Sequence, residues 1–296
     1  MKPILIAITL LSLPGIGPAA PEMTNEPIWP DLAPGETESN PGEAMPLREG
    51  EDPPIIRLVN IRKPTVDILL PPAGKANGTA VVILPGGGFG KVVPDKEGYE
   101  AAPWLHEMGI AVFSLRYRTR EGKPEDEPLW KRPLQDAQRT IRMIRANAGK
   151  WNLDPERIGI LAFSAGGQIG AVLHAADDEA AYDPIDKIDE HPCHTDFAML
   201  IYPWNVMDSG TETLIPGIQF HEKSRPAFIV HTHDDRSSSL GSVLIYADLK
   251  RNKVPAELHI YENGGHGYGV RPVPDSNIDS WRARAGDWLK LRGLGK

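Results

Sequence analysis

The chain has 296 residues, with 32 Lys+Arg against 40 Asp+Glu and a formal net charge of −8. The acidic balance and the lack of a basic run exclude a nucleic-acid partner. A single cysteine, Cys193, excludes an internal disulfide framework, a Cys-based zinc site and a cluster-type metal centre.

Residues 1–20 have the layout of a cleaved secretory signal: Met1-Lys2, an apolar stretch from Pro3 to Leu13, a break at Pro14-Gly15, then small residues to Ala20. The apolar stretch is too short to span a bilayer, which takes about 20 residues. The expectation is a mature chain starting near Pro21 that is secreted or periplasmic, with no stable membrane insertion after cleavage. Residues 21–56 carry Pro21, Pro27, Pro30, Pro34, Pro41, Pro46, Pro53 and Pro54 among acidic and small residues. Such a stretch sustains neither a helix nor a central strand, so an extended Pro-rich arm on the surface is expected, pinned by Trp29.

Residues 57–296 then alternate short apolar runs with amphipathic segments. The runs 66–70, 80–84, 110–115, 158–162, 197–201, 227–230 and 258–261 read as strands, most of them apolar throughout, as in parallel strands buried on both faces. The clearest helix is expected from Leu134 to Ala148. Leu134, Ala137, Ile141, Ile144 and Ala148 form its apolar stripe, Arg139, Arg142 and Arg145 another face, and Gly149 its stop. The fold class expected is α/β, a mostly parallel central sheet flanked by helices in one large domain.

Three stretches carry chemistry. The segment 158–168 runs from a strand through Ala162-Phe163-Ser164-Ala165-Gly166 into a helical segment. That strand–turn–helix context exposes a serine at the top of a sheet, beside the free N–H groups of a helix start. Ala162 stands where G-x-S-x-G has its first glycine. The stretch Pro85-Gly-Gly-Gly-Phe-Gly90 follows a strand directly, and successive glycines there present N–H groups to an anion. Lys91-Val-Val-Pro94 interrupts any helix that a phosphate loop would need, which favours an oxyanion hole. Finally, His266 lies in Asn263-Gly-Gly-His-Gly-Tyr-Gly269 after the last strand, on a loop flexible enough to swing over a serine. His106 and His174 fall in helices, His259 in a strand, His191, His194 and His221 in surface loops, and His231 and His233 at a strand end with a packing role. An acid at the end of the preceding strand is supplied by Asp234 or Asp235. Asp208 is a third candidate.

These residues resemble the α/β-hydrolase superfamily, in its acetylesterase/lipase-type branch with a glycine-rich oxyanion loop, from roughly Val66 to Leu289. Within that branch the chain is similar to secreted bacterial carbohydrate esterases of the acetylxylan-esterase-like kind. The 85–90 loop, Leu115-Arg-Tyr-Arg118, Pro133-Leu-Gln-Asp-Ala137 and Asp183-Pro-Ile-Asp186 carry the likeness. It implies Ser164 as nucleophile, His266 as general base and Asp235 as the orienting acid. Asp235 is preferred to Asp234 because His231-Thr-His-Asp-Asp235 matches the family's His-Gly-x-x-Asp. Gly87, Gly88 and Ala165 would donate backbone N–H groups to the oxyanion.

The implied activity is hydrolysis of acetyl or other short acyl esters, on small molecules or polysaccharides, through an acyl-enzyme that uses no cofactor or metal. Thr232 replaces the family's glycine and Arg236-Ser-Ser-Ser239 its Val-x-Pro-like run, which leaves the acid open among the three candidates. Phe89, Trp204 and Tyr268 are candidates for lining a pocket shaped by loops 177–195 and 204–225. A prolyl oligopeptidase-type serine peptidase shares the triad order but carries a large gating domain that this length does not hold. A non-catalytic binding protein on the same fold would have no reason to keep serine, base and glycine loop together.

Overall fold

Six apolar runs stand side by side in parallel and make the centre of the molecule. In chain order they are β5 (Ala80–Leu84), β6 (Ala111–Arg116), β7 (Ile158–Phe163), β8 (Phe197–Ile201), β11 (Ala227–Thr232) and β12 (Ala256–Tyr261). The computed structural model describes residues 23–72 and 74–296, so the expected leader lies outside the described residues. Two strands, β1 (Thr24–Pro27) and β4 (Thr65–Leu69), join the sheet antiparallel at one edge, giving the order β1-β4-β6-β5-β7-β8-β11-β12. Two small ribbons, β2 (Pro41–Ala44) with β3 (Leu58–Ile61) and β9 (Met207–Asp208) with β10 (Thr213–Leu214), complete the strands.

Side chains of β5 alternate between two cores. Ala80, Val82 and Leu84 face one and Val81 and Ile83 the other, all fully buried. The first core is closed by α2 (Lys131–Ala146), α4 (Ala165–Ala176) and α5 (Leu240–Arg251), and the second by α1 (Ala102–Glu107) and α6 (Trp281–Leu291). The architecture is therefore the expected one, a mostly parallel central sheet with helices on both faces. Among the described residues no helix is long and apolar enough to cross a membrane.

The apolar stripe of α2 packs as the periodicity predicts, but the helix ends at Ala146, before Gly149, and Ala148–Trp151 forms a separate turn, α3. Asn147 is the reason. Its side-chain amide donates to the Met143 carbonyl at 2.8 Å and so competes with further helix. The arginine face is not turned to water. Arg139 is paired with Asp186 and Asp189, Arg142 donates to the His191 carbonyl, and Arg145 donates to the carbonyls of Pro192 and His194, pinning the segment 186–196 against the helix.

The proline-rich segment is stitched into the domain. Pro27 can occupy β1 because that strand is an edge and one missing N–H costs the ladder little. Trp29 is buried, and its indole N–H donates to Asp136 on α2 at 2.9 Å. The Ile56 N–H then donates to Asp95, and Leu58 bridges to Val92. This brings residues 48–57 to the carboxyl ends of the central strands.

Candidate active site

Ser164 terminates β7 and precedes α4, with φ 53° and ψ −117°, a left-handed geometry that a serine holds only when its surroundings fix it. Those surroundings are backbone contacts. The Ser164 N–H donates to the Ile201 carbonyl at 3.1 Å, and the Ser164 carbonyl accepts from Trp204 at 2.9 Å. Glycines let strand and helix close on one another here. A Cβ at Gly166 would sit 2.0 Å from the Leu84 carbonyl oxygen, and one at Gly170 would sit 2.7 Å from the Ala162 Cβ. The alanine at 162 is thus accommodated by the glycine facing it.

His266 comes to this serine from the loop after β12. Its Nε2 accepts from the Ser164 hydroxyl at 2.7 Å, and its Nδ1–H donates to Asp235 Oδ2 at 2.6 Å. The loop is held, not free to swing as expected from its glycines. Asp234 accepts from the N–H groups of Gly264 at 3.2 Å and Gly265 at 2.9 Å, and the Thr232 hydroxyl donates to the Gly265 carbonyl at 2.8 Å. Of the three acids weighed, Asp235 is the one brought to His266. Asp234 steadies the loop from outside, and exposed Asp208 closes its own turn by accepting from Gly210 and Thr211.

Asp235 has a fully buried side chain. Burial alone would raise its carboxyl, but hydrogen bonds from His231, His266 and the Ser237 N–H outweigh it and hold the group at about 2. His231 Nε2–H is shared between Asp235 Oδ2 at 3.1 Å and the Ser237 carbonyl at 3.0 Å, while its Nδ1 accepts from Ser242 at 2.8 Å. The packing role expected for His231 is therefore more specific, since it fixes the carboxylate that faces His266. His194 departs from expectation too. It is buried, with its ring between Asp178 and Asp196.

The glycine loop lies over the serine. A cavity of about 730 Å³ has Gly87, Gly88, Ser164, Trp204, His266 and Gly267 in its wall. Gly87 and Gly88 have φ of 136° and 64°, and neither N–H donates to a described residue. Ala165 is fully buried at the first position of α4 and forms no part of the cavity wall. Its N–H belongs to the unpaired first turn of that helix. Trp204 lines the cavity, but Phe89 and Tyr268 do not. Phe89 is fully buried and packs behind Trp204, with ring centroids 6.2 Å apart, and Tyr268 is buried edge-on against Tyr202 at 4.4 Å.

Glu97, which the sequence did not single out, sits behind the glycine loop. It accepts from the Gly86 N–H at 2.9 Å and from the Tyr202 hydroxyl at 2.9 Å, and the Tyr202 ring lies 4.9 Å from that of His266. Burial pushes the Glu97 carboxyl up, with the Tyr202 hydrogen bond and nearby His266 and Lys96 opposing it.

Among the described residues two groups could offer metal ligands, Glu156 with His194 and Asp196, and Asp177 with Asp178 and His194. Asp196 precedes β8 at the amino ends of the strands, the opposite edge of the sheet from Ser164, and Arg145 already pairs with it at 3.1 Å. Neither group bears on the serine site.

Residues 66–201 match the BD-FAE family model. The chain is 28% identical over 238 residues to an acetylxylan esterase of Xylanibacter ruminicola, covering 72% of this chain and 46% of that protein. It therefore spans about half the length of that curated relative. Among solved structures, an acetyl ester-xyloside bifunctional hydrolase from Caldicellulosiruptor lactoaceticus superposes with a TM-score of 0.71 at 24% identity, over 95% of this chain and 100% of that one. The α/β hydrolase MGS-M1 from a Medee basin deep-sea metagenome library gives 0.63 at 20% identity, over 86% and 99%. These likenesses show the α/β-hydrolase fold.

Proposed function

For a chain with the α/β-hydrolase fold, we propose a serine esterase that removes acetyl or other short acyl groups from carbohydrates through an acyl-enzyme. The observation that carries the reading is the unbroken hydrogen-bond relay from Ser164 through His266 to Asp235, at 2.7 and 2.6 Å, with the serine in a strained turn beneath a glycine loop.

In this reading His266 Nε2 takes the Ser164 proton as the serine oxygen attacks the ester carbonyl. The negative charge that develops on the carbonyl oxygen is received by the N–H groups of Gly87, Gly88 and Ala165. Asp235 keeps Nδ1 protonated and stabilises the imidazolium. The imidazolium then protonates the departing alcohol, and the same groups activate water to release the acid. Glu97 restrains the glycine loop through Gly86, so the N–H donors are in place before charge develops. The similarity to an acetylxylan esterase and the fold shared with an acetyl ester-xyloside hydrolase support a carbohydrate alcohol. Export completes the reading, with residues 1–20 as the cleaved leader, checked by the mass of the mature amino terminus.

The test is acetate release from acetylated xylan, measured beside 4-nitrophenyl acetate and a dipeptide anilide. Release from the two esters is expected. Cleavage of the anilide alone would replace the esterase by a peptidase.

A further inference from the structure

The cavity in front of Ser164 has a charge opposite to that of the chain. Against a formal −8 for the whole protein, its walls gather Arg48, Arg57, Lys91, Lys96 and Arg236, opposed by Glu51 and Glu97. The two acids are already engaged. Glu51 is paired with Arg57 through Nη1–H···Oε2 at 2.9 Å, and Glu97 accepts from the Gly86 N–H and the Tyr202 hydroxyl.

Four cations are left, and among the described residues none of them makes an ion pair or a side-chain hydrogen bond. They arrive from three distant segments: Arg48 from the amino-terminal arm, Lys91 and Lys96 from the loop after β5, and Arg236 from the loop after β11. Lys91 feels this positive surrounding: burial pushes its ammonium down, and Arg48, Arg57 and Arg120 add to that, with Glu97 opposing. Lys96 is half-buried and pushed down by burial, and Glu97 is the largest influence opposing that shift. Five cations against two carboxylates in one wall raise the local potential and favour an incoming anion.

The size and lining of the cavity say where that anion sits. At about 730 Å³ it is far larger than an acetyl group, so most of it receives the alcohol side of the ester. Ile55, Val93 and Trp204 are its only large apolar side chains, which suits a polar sugar better than a long or aromatic acyl chain.

We propose that the substrate is an acylated acidic glycan, whose sugar carboxylate or sulfate is held by Arg48, Lys91, Lys96 and Arg236 while its ester is presented to Ser164. The inference rests on the esterase reading above and narrows it to anionic carbohydrate. Arg48 gives the arm its part in the site, since it places a recognition side chain in the wall of the cavity that holds Ser164 and His266.

The experiment compares kcat/KM of the full chain on two acetylated xylo-oligosaccharides of equal length, one bearing a glucuronic acid and one neutral. The acidic substrate is expected to be preferred by about tenfold or more at low ionic strength, and the ratio to fall to about twofold in about 0.5 M salt. Arg48→Gln with Arg236→Gln, both exposed and unpaired, is expected to cut the ratio at least about threefold through KM. Lys96→Met is a second variant from a different segment. Free glucuronate and galactose 6-sulfate as competitors distinguish carboxylate from sulfate. Equal, salt-insensitive kcat/KM on both oligosaccharides, with neither anion inhibiting more than xylose, would overturn the anionic subsite and leave the esterase standing. Hydrolysis of neither oligosaccharide nor of 4-nitrophenyl acetate would take down both.

Discussion

Replacing Asp235 by asparagine tests the relay where the geometry is most demanding. The carboxylate accepts from the Ser237 N–H on Oδ1 at 2.7 Å, and from His266 and His231 on Oδ2 at 2.6 and 3.1 Å. Every donor around it is an N–H, so an amide cannot satisfy the site. If the asparagine oxygen faces the histidines, its NH2 meets the Ser237 N–H. If the NH2 faces them, His266 must switch tautomer and present a hydrogen to Ser164 instead of a lone pair.

The magnitude can be worked in two ways. Opposite unit charges at the 2.6 Å separation of Nδ1 and Oδ2 are worth about 6 kcal/mol at an effective dielectric of about 20. Loss of the correct tautomer in a Ser-His-Asp relay costs about 10⁴ in kcat, which is about 5.5 kcal/mol. The two agree, and Asp235→Asn is expected to lower kcat on 4-nitrophenyl acetate by about 10⁴, with active-site titration and a thermal melt confirming folded protein. Asp234→Asn keeps one acceptor for the loop amides and should lose less than about tenfold, the scale of one partly replaced hydrogen bond. A fall of less than tenfold for Asp235→Asn, or a larger loss at Asp234, would refute this assignment of the acid.

Gly87→Ala is expected to lower kcat by about 10²–10³, since φ is 136° and a Cβ there would sit 2.1 Å from the Lys91 carbonyl oxygen, which forces the N–H donors to move. Trp29→Ala should cost about 3–5 kcal/mol in urea unfolding, because the ring is buried against Tyr182 and its N–H is committed to Asp136. His174 adds a pH dependence. Burial holds it down to about 4, against hydrogen bonding to the Arg225 carbonyl. The unfolded chain therefore takes up this proton first. Stability should fall as pH drops from about 6.5 to 4 and then level, by up to about 3 kcal/mol, and His174→Gln should remove that component from the difference in melting curves.

The strands of the parallel sheet were legible to within a residue or two because each is a short apolar run bounded by loops. β1, β2 and β3 were not, since an edge or ribbon strand keeps one side in water and Pro27 or Pro41 then reads as a breaker. Ser164 and His266 could be found from the small residues around them, which exist to let backbones approach. The choice between Asp234 and Asp235 could not be made locally, because which of two adjacent carboxylates turns inward depends on distant partners, here His231, His266 and the Ser237 N–H gathered around Asp235. His231 itself lies four positions before Asp235, a spacing that suggests a contact in a helix and nothing across a strand end. Arg48 was hidden for a different reason: nothing local tells a proline-rich arm to bring a side chain into the wall of the cavity that holds Ser164.

Stoichiometric labelling with a fluorophosphonate probe tests the central claim most directly. A serine whose hydroxyl is hydrogen-bonded to the His266 imidazole beneath a glycine loop should react once per chain. Peptide mapping should place the adduct on Ser164, and Ser164→Ala should abolish it together with about 10⁶ of the ester-hydrolysis rate. Absence of labelling in folded protein, or an adduct that survives in Ser164→Ala, would contradict the account.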